Sequence, residues 1–196
     1  MQIILASASP RRQELLKNIF PEFQIHTSSC EENAVFKTPS EYVMDLSAQK
    51  ARDVASHYLG QNVSDEFLII GADTIVYNDN EVLGKPVDRS DAHRMISALS
   101  GKSHEVYTGL ALVHIKGTQQ SIYTSFSLTH VHVNTLSEEE ISDYIDGPEH
   151  VYDKAGSYAI QGNFSRHITG IEGDYFNVVG LPVNKLYEEL KCHNLL

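Results

Sequence analysis

The apolar run FLIIGA at residues 67–72 leaves this chain few ways to fold. A continuous hydrophobic segment closing on Gly-Ala reads as a central strand buried on both faces, and such strands lie in sheets flanked by helices. Residues 2–6 form a second short buried strand. It leads directly into a helix with Ser9 as N-cap and Pro10 in the first helical position. FQIHT (23–27) reads as a further strand. Thr38-Pro39-Ser40-Glu41 has capping-box form and opens a helix to about Leu59. YNDNE, after Thr74-Ile75-Val76-Tyr77, predicts a hairpin turn. A helix over 90–100 stops at Gly101, and residues 104–116 and 119–133 alternate as a long antiparallel pair turning at Gly117-Thr118. Ser137 to Glu140 is a second capping box for a helix ending at Gly147. A Gly-rich region of short strands (157–179) then precedes a last helix from about Leu181. The expectation is a single α/β domain over residues 1–196, its first half favouring parallel pairing and its middle antiparallel.

The net charge of −11 and pI near 5.3 argue against a nucleic acid polymer as partner, while leaving room for a small anion in a local basic pocket. Cys30 and Cys192 make neither a disulfide framework nor a metal-ligand pair. IILA is too short for a signal-peptide core and no stretch approaches membrane-spanning length. The expected setting is therefore cytoplasmic, without a membrane partner, and the sequons at Asn62 and Asn163 are expected to be idle.

Several charges sit where structure alone does not ask for them. Arg11 and Arg12 fall in the first helical turn, against the positive end of the helix dipole, each at about 0.3–1 kcal/mol unless an anion offsets it. Lys50 interrupts an apolar stripe of Val43, Leu46, Val54 and Tyr58, so it either snorkels outward or faces a polar cleft. Asp73 follows the buried run at the carboxyl end of a strand, where open α/β sheets place ligands, although a turn-capping role explains it equally well. Thr74 adds a hydroxyl beside it. Lys85 is held between Gly84 and Pro86. Asp153 and Lys154 lie in a turn that a solvated loop would also explain, with Gln161 at a strand end. Glu31-Glu32 alone reads as a wet acidic loop. Together, cations Arg11, Arg12, Lys50, Lys85 and Lys154 and carboxylates Glu32, Asp73 and Asp153 suit a polyphosphate with a divalent cation. SGKS (100–103) lacks the upstream glycine of a phosphate loop, because Ile96 stands there. His130 and His132 have no third ligand nearby and read as strand histidines. Neither a G-x-S-x-G elbow nor a cysteine nucleophile motif occurs.

LASASPRRQELL, GADTIV, GKP, DKAGSYAIQG and GDYFNVVGLPV resemble, in order, the motifs of the Maf family of nucleoside triphosphate pyrophosphatases, from residue 3 to near the C-terminus. The resemblance implies a mixed, twisted sheet with flanking helices and two lobes around a central cleft, similar to inosine triphosphate pyrophosphatases, in a homodimer. It implies hydrolysis between the α- and β-phosphates with Mg²⁺ or Mn²⁺, and DKAGSYAIQG is similar to the dTTP and UTP branch. Carried over by motif, Asp73 is the catalytic base, with Glu32 and Lys85 also catalytic. Arg12, Thr74 and Gln161 match the positions of substrate choice and Lys50 a basic position; the expected site further has Ser9, Arg11 and Lys154 on the substrate, and Glu32 and Asp73, or Asp153 in place of Asp73, on the metal. NFSRHITGIEG (163–173) departs from the family pattern. The competing readings are a nucleotide-binding regulator of cell division without turnover, and a phosphatase or nucleotidyl transferase using the same cations.

Overall fold

A computed structural model describes residues 1–60 and 66–196; the Asn62 sequon lies outside the described residues. The elements are β1 (Gln2–Leu5), α1 (Pro10–Leu16), β2 (Gln24–Ile25), α2 (Pro39–Ser56), β3 (Glu66–Asn78), β4 (Glu81–Leu83) and α3 (Arg89–Leu99). They continue as β5 (Ser103–Lys116), β6 (Gln119–Val133), α4 (Glu138–Ile145), β7 (Ile168–Glu172), α5 (Tyr175–Val179) and α6 (Val183–Cys192). The seven strands form one mixed sheet in the order β2-β1-β3-β5-β6-β7, with β4 on β3. β1 pairs in parallel with both β2 and β3, whereas β4 on β3 and β7 on β6 are antiparallel. The expected α/β class and its parallel-then-antiparallel order therefore hold.

The local signals act as their chemistry requires. The Ser137–Glu140 capping box is complete, with both reciprocal hydrogen bonds made. At α2 only half of the box forms. Thr38 accepts from the Glu41 N–H, and its own hydroxyl donates to the Glu41 carboxylate. The β3–β4 hairpin turns at Asp79-Asn80, both with positive φ (49° and 65°), the backbone a two-residue hairpin turn favours.

Three expectations need correction. β3 does not end at Asp73 but continues to Asn78, because Thr74 to Asn78 are drawn on by pairing with β4. β1, however, stops opposite Ile70, so Asp73 still projects past the end of its parallel neighbour. The second strand shrinks to Gln24–Ile25, both exposed, since no buried face rewards a longer one. Residues 157–179 contain one strand; the rest is short helical turns. Phe164 is fully buried there between Tyr144 and Tyr158, with ring centroids 5.0 and 4.8 Å away. Aromatic packing, not strand pairing, organises the segment.

Two structural units can be distinguished. The first comprises residues 1–73, 108–127 and 180–196; the second comprises 74–107 and 128–179. In the first, the small face of α2 (Ala48, Ala51, Ala55) packs on Ile4, Phe67, Ile69, Ala111 and Val113. Two glycines let the helix lie directly on the strands. A Cβ at Gly71 would sit 2.5 Å from the Ser47 carbonyl oxygen, and one at Gly109 would sit 2.1 Å from that of Val43. In the second unit, Gly156 (φ +65°) rests on Val76 and donates its N–H to the Gly84 carbonyl, docking the DKAG turn beside the GKP segment. His104 is buried there with Nε2 2.7 Å from the Tyr158 hydroxyl. Burial, with a smaller effect of His132, lowers its pKa to about 4, so it is a neutral core histidine.

The contact at Gly109 predicts that Gly109→Ala destabilises the protein by about 3 kcal/mol or more, since the backbone must separate to admit one methyl. Thermal denaturation should show Tm lower by roughly 6–12 °C. An unchanged Tm would mean that α2 is not seated on β5 in this way.

Candidate active site

Asp73 reaches its position through strand alternation. Phe67, Ile69, Gly71 and Asp73 share the face of β3 that meets α2, and the glycine is the point of closest approach. Ser47 and Ala51 of α2 cover Gly71, which places Lys50, on the same turn, against Asp73. The Lys50 ammonium donates to Asp73 Oδ1 and lies 2.9 Å from Glu32 Oε1. The Lys50 and Asp73 side chains are only 19% and 13% exposed, so bulk water screens this contact weakly. Of the two options open to a lysine in an apolar stripe, the structure takes the polar one. Burial works against the charge on Lys50, but Asp73 and then Glu32 outweigh it, and the pKa is raised overall.

Arg12 is held by the backbone of a distant segment. Its Nε donates to the Gly180 carbonyl at 2.8 Å and its Nη1 to the Ser7 hydroxyl at 3.3 Å. Burial lowers its pKa, Asp73 opposes this, Arg11 adds to the lowering and Glu32 opposes it again. Arg12, Arg11, Asp73 and Glu32 are thus within electrostatic reach of one another. Ser9 caps α1 by accepting from the Arg12 N–H. The Arg12 side chain of the first turn is therefore held by protein groups, among them the Gly180 carbonyl and the Ser7 hydroxyl. Ser7 and Gly180 were not among the candidates. Ser7 is 7% exposed, and its only sequence signal is its place two residues before the cap.

The remaining candidates belong to the second unit. Thr74 follows Asp73 and is half-buried; Lys85 and Gln161 are exposed. Lys154 is 8% exposed, and its ammonium donates within its own turn to the His150 carbonyl and to Asp153 Oδ1, the latter at 2.8 Å. The departing segment 163–173 borders an open polar cavity of about 710 Å³ lined by Asn134, Thr135, Glu140, Arg166 and His167. In SGKS, Lys102 donates to Asp79 of the β3–β4 turn.

Glu32 and Asp73 aim one carboxylate oxygen each at a single point, the Lys50 ammonium. This all-oxygen pair matches the ligand taste of Mg²⁺ or Mn²⁺, which usually keep several waters and take phosphate oxygens as further ligands. Among the described residues, no group of three or more His, Cys, Asp or Glu side chains surrounds one point. The two carboxylates could thus supply only part of a coordination sphere. His132 pairs with Glu172 instead, and both cysteines are free.

The model of the family described as Maf-like protein matches residues 2–193. A dTTP/UTP pyrophosphatase of Agathobacter rectalis is 50% identical, covering 97% of this chain and 96% of that protein. One from Caldanaerobacter subterraneus subsp. tengcongensis is 49% identical over 97% of this chain and 88% of its own length. One from Clostridium botulinum (strain Kyoto) is 47% identical over 94% and 93%. The solved Ham1 protein of Staphylococcus aureus aligns over 98% of this chain with a TM-score of 0.44 and 10% identity. Among the described residues, no helix is long and apolar enough to cross a membrane.

The Lys50 ion pairs predict an alkaline effect. A raised lysine pKa stabilises the fold fully below the unfolded value near 10.4, and that contribution is lost as pH rises through the higher folded value. Lys50→Met should therefore be less stable than the native protein by about 1–3 kcal/mol at pH 8. In urea titrations between pH 8 and 11, this difference should shrink towards the alkaline end. A difference that stays constant with pH would show that the ammonium is not what the carboxylates hold.

Proposed function

We propose that this chain, which belongs to the Maf-like protein family, is a hydrolase that converts dTTP and UTP to the nucleoside monophosphate and pyrophosphate. The observation that carries the reading is the contact of Lys50 with both Asp73 and Glu32, with Arg12 in their field, in a chain matched by the family over residues 2–193. A buried carboxylate held by an ammonium, beside an arginine fixed by backbone, is suited to orienting water against a bound anion.

Lys50 engages Oδ1 of Asp73 and holds the carboxylate in one orientation. Oδ2 is the oxygen that takes the proton of a water attacking the α-phosphorus. The bond from that phosphorus to the bridging oxygen breaks in line, and the electron pair leaves with pyrophosphate. Arg11 and Arg12 stabilise the charge that grows on the departing oxygens, and a preset guanidinium does so without reorganising. Glu32 and Asp73 would hold a Mg²⁺ or Mn²⁺ ion, which when bound neutralises phosphate charge. Lys85 and Lys154 are assigned to the phosphates, Ser9 and Thr74 to substrate contacts, and Gln161 to the pyrimidine edge, where its amide can both donate and accept. On the same family grounds the working unit is a homodimer, and the cytoplasm is its setting on the sequence grounds given above.

Asp73→Asn should fold normally, judged by circular dichroism, yet lose roughly 10²–10⁴-fold in turnover, the usual range for general-base catalysis. Pyrophosphate release from dTTP and UTP, with and without Mg²⁺, measures this. Monophosphate and pyrophosphate should appear in equal amounts, whereas orthophosphate would make the protein a phosphatase. Absence of turnover under all conditions would leave a nucleotide-binding protein. Gln161→Ala should narrow the preference for dTTP over dATP at least several-fold, and an unchanged ratio of kcat/KM would move base selection elsewhere.

A further inference from the structure

Glu32 lies in a segment without regular secondary structure, half-exposed at 53%, yet it meets Lys50 at hydrogen-bond distance. What holds it there is visible along α2. The segment runs as a strap antiparallel to the helix. Ser28 Oγ and the Ser29 N–H both donate to Asp53 Oδ2, at 2.8 and 2.9 Å. One turn back Glu32 meets Lys50, and the Asn33 N–H donates to Gln49 Oε1 at 3.1 Å. Further on, the Phe36 ring meets Tyr42 edge-on, with centroids 5.6 Å apart.

Chain length does not set this register. From residue 28 to residue 36 the strap could span ~26 Å if fully extended. The helix from residue 53 back to residue 42 covers only ~17 Å. About 10 Å of slack remains, enough to carry Glu32 away from Lys50 if nothing pinned its flanks. Asp53 and Gln49 pin them, one on each side. Donation from Ser28 and Ser29, against a small opposing effect of burial, pulls the Asp53 carboxyl below its usual range, with the Cys30 N–H and His57 adding to it. The Ser28 hydroxyl also accepts from the Cys30 N–H at 3.3 Å, carrying the order to within two residues of Glu32.

We propose that Asp53, seconded by Gln49, is a positioning residue of the active site, clamping the 28–33 strap on α2 so that the Glu32 carboxylate meets Lys50. The inference rests on the function proposed above for its kinetic consequence, but not for its structural one. Asp53 lies outside the motifs that carry the family resemblance.

The test is a double-mutant cycle with Glu32, read together with hydrogen exchange of the strap. Asp53→Ala should lower kcat for dTTP at least tenfold with KM moved less than threefold, while Asp53→Asn, which keeps an acceptor oxygen, should stay within threefold of the native protein. In a Glu32→Gln background the same Asp53→Ala change should alter kcat less than twofold, because the residue acts only through Glu32. Peptides covering residues 27–37 should exchange faster in Asp53→Ala, with the rest of the chain unchanged. Native kcat in Asp53→Ala, or an equal loss in the Glu32→Gln background, would overturn the proposal. If the native protein hydrolyses neither dTTP nor UTP, the functional reading fails separately and exchange alone decides. Unchanged protection of 27–37 in Asp53→Ala would then sink the clamp.

Discussion

The seating of α2 on the sheet at Gly71 and Gly109 is the constraint from which the site follows. A helix over a sheet is ordinarily held off by the side chains between them; here two absent side chains and a row of alanines let backbone approach backbone. The apolar contacts so formed hold Lys50 and Asp73 side by side. At that range, and with little exposure, an ammonium and a carboxylate interact far more strongly than on an open surface. The pair is thus a consequence of packing, made possible by residues that have no polar chemistry of their own.

The same logic explains how an acidic chain keeps its key cations in place. Arg12 is anchored by a carbonyl from the C-terminal segment, at a glycine with φ +120°, and by a buried serine. Lys154 is anchored in its own turn. Long cationic side chains lose much rotamer freedom when fixed, and here protein acceptors take on that ordering before any ligand arrives. The net charge of −11 says nothing of this, because it sums over a surface whose local fields are set by a few fixed groups.

Local elements were legible wherever a short-range rule governs them. The Ser137 capping box and the Asp79-Asn80 turn follow from contacts between residues a few positions apart, and the long strands on either side of Gly117 from the alternation within each run. Lys50 was legible as an anomaly, since a lysine in an apolar stripe must resolve in one of two ways. The segment 157–179 misled because its glycines and β-formers suggested strands, while its structure answers to Phe164 and to the buried Asn177 amide, which donates to the Val106 carbonyl and to Thr129. Those partners lie 71 and 48 residues away along the chain. No local pattern announces them.

By itself the sequence determined the class of fold, the identity of the charged candidates and the family to which they belong, because periodicity, caps and ordered motifs are properties of neighbouring residues. Tertiary structure alone decided which candidates meet. It set Lys50 between Asp73 and Glu32, gave Arg12 its carbonyl at Gly180 and drew the strap along α2 through Asp53 and Gln49. Each of these contacts joins residues at least 16 positions apart. Their geometry depends on how closely helix and sheet approach, a distance that no single stretch of chain encodes.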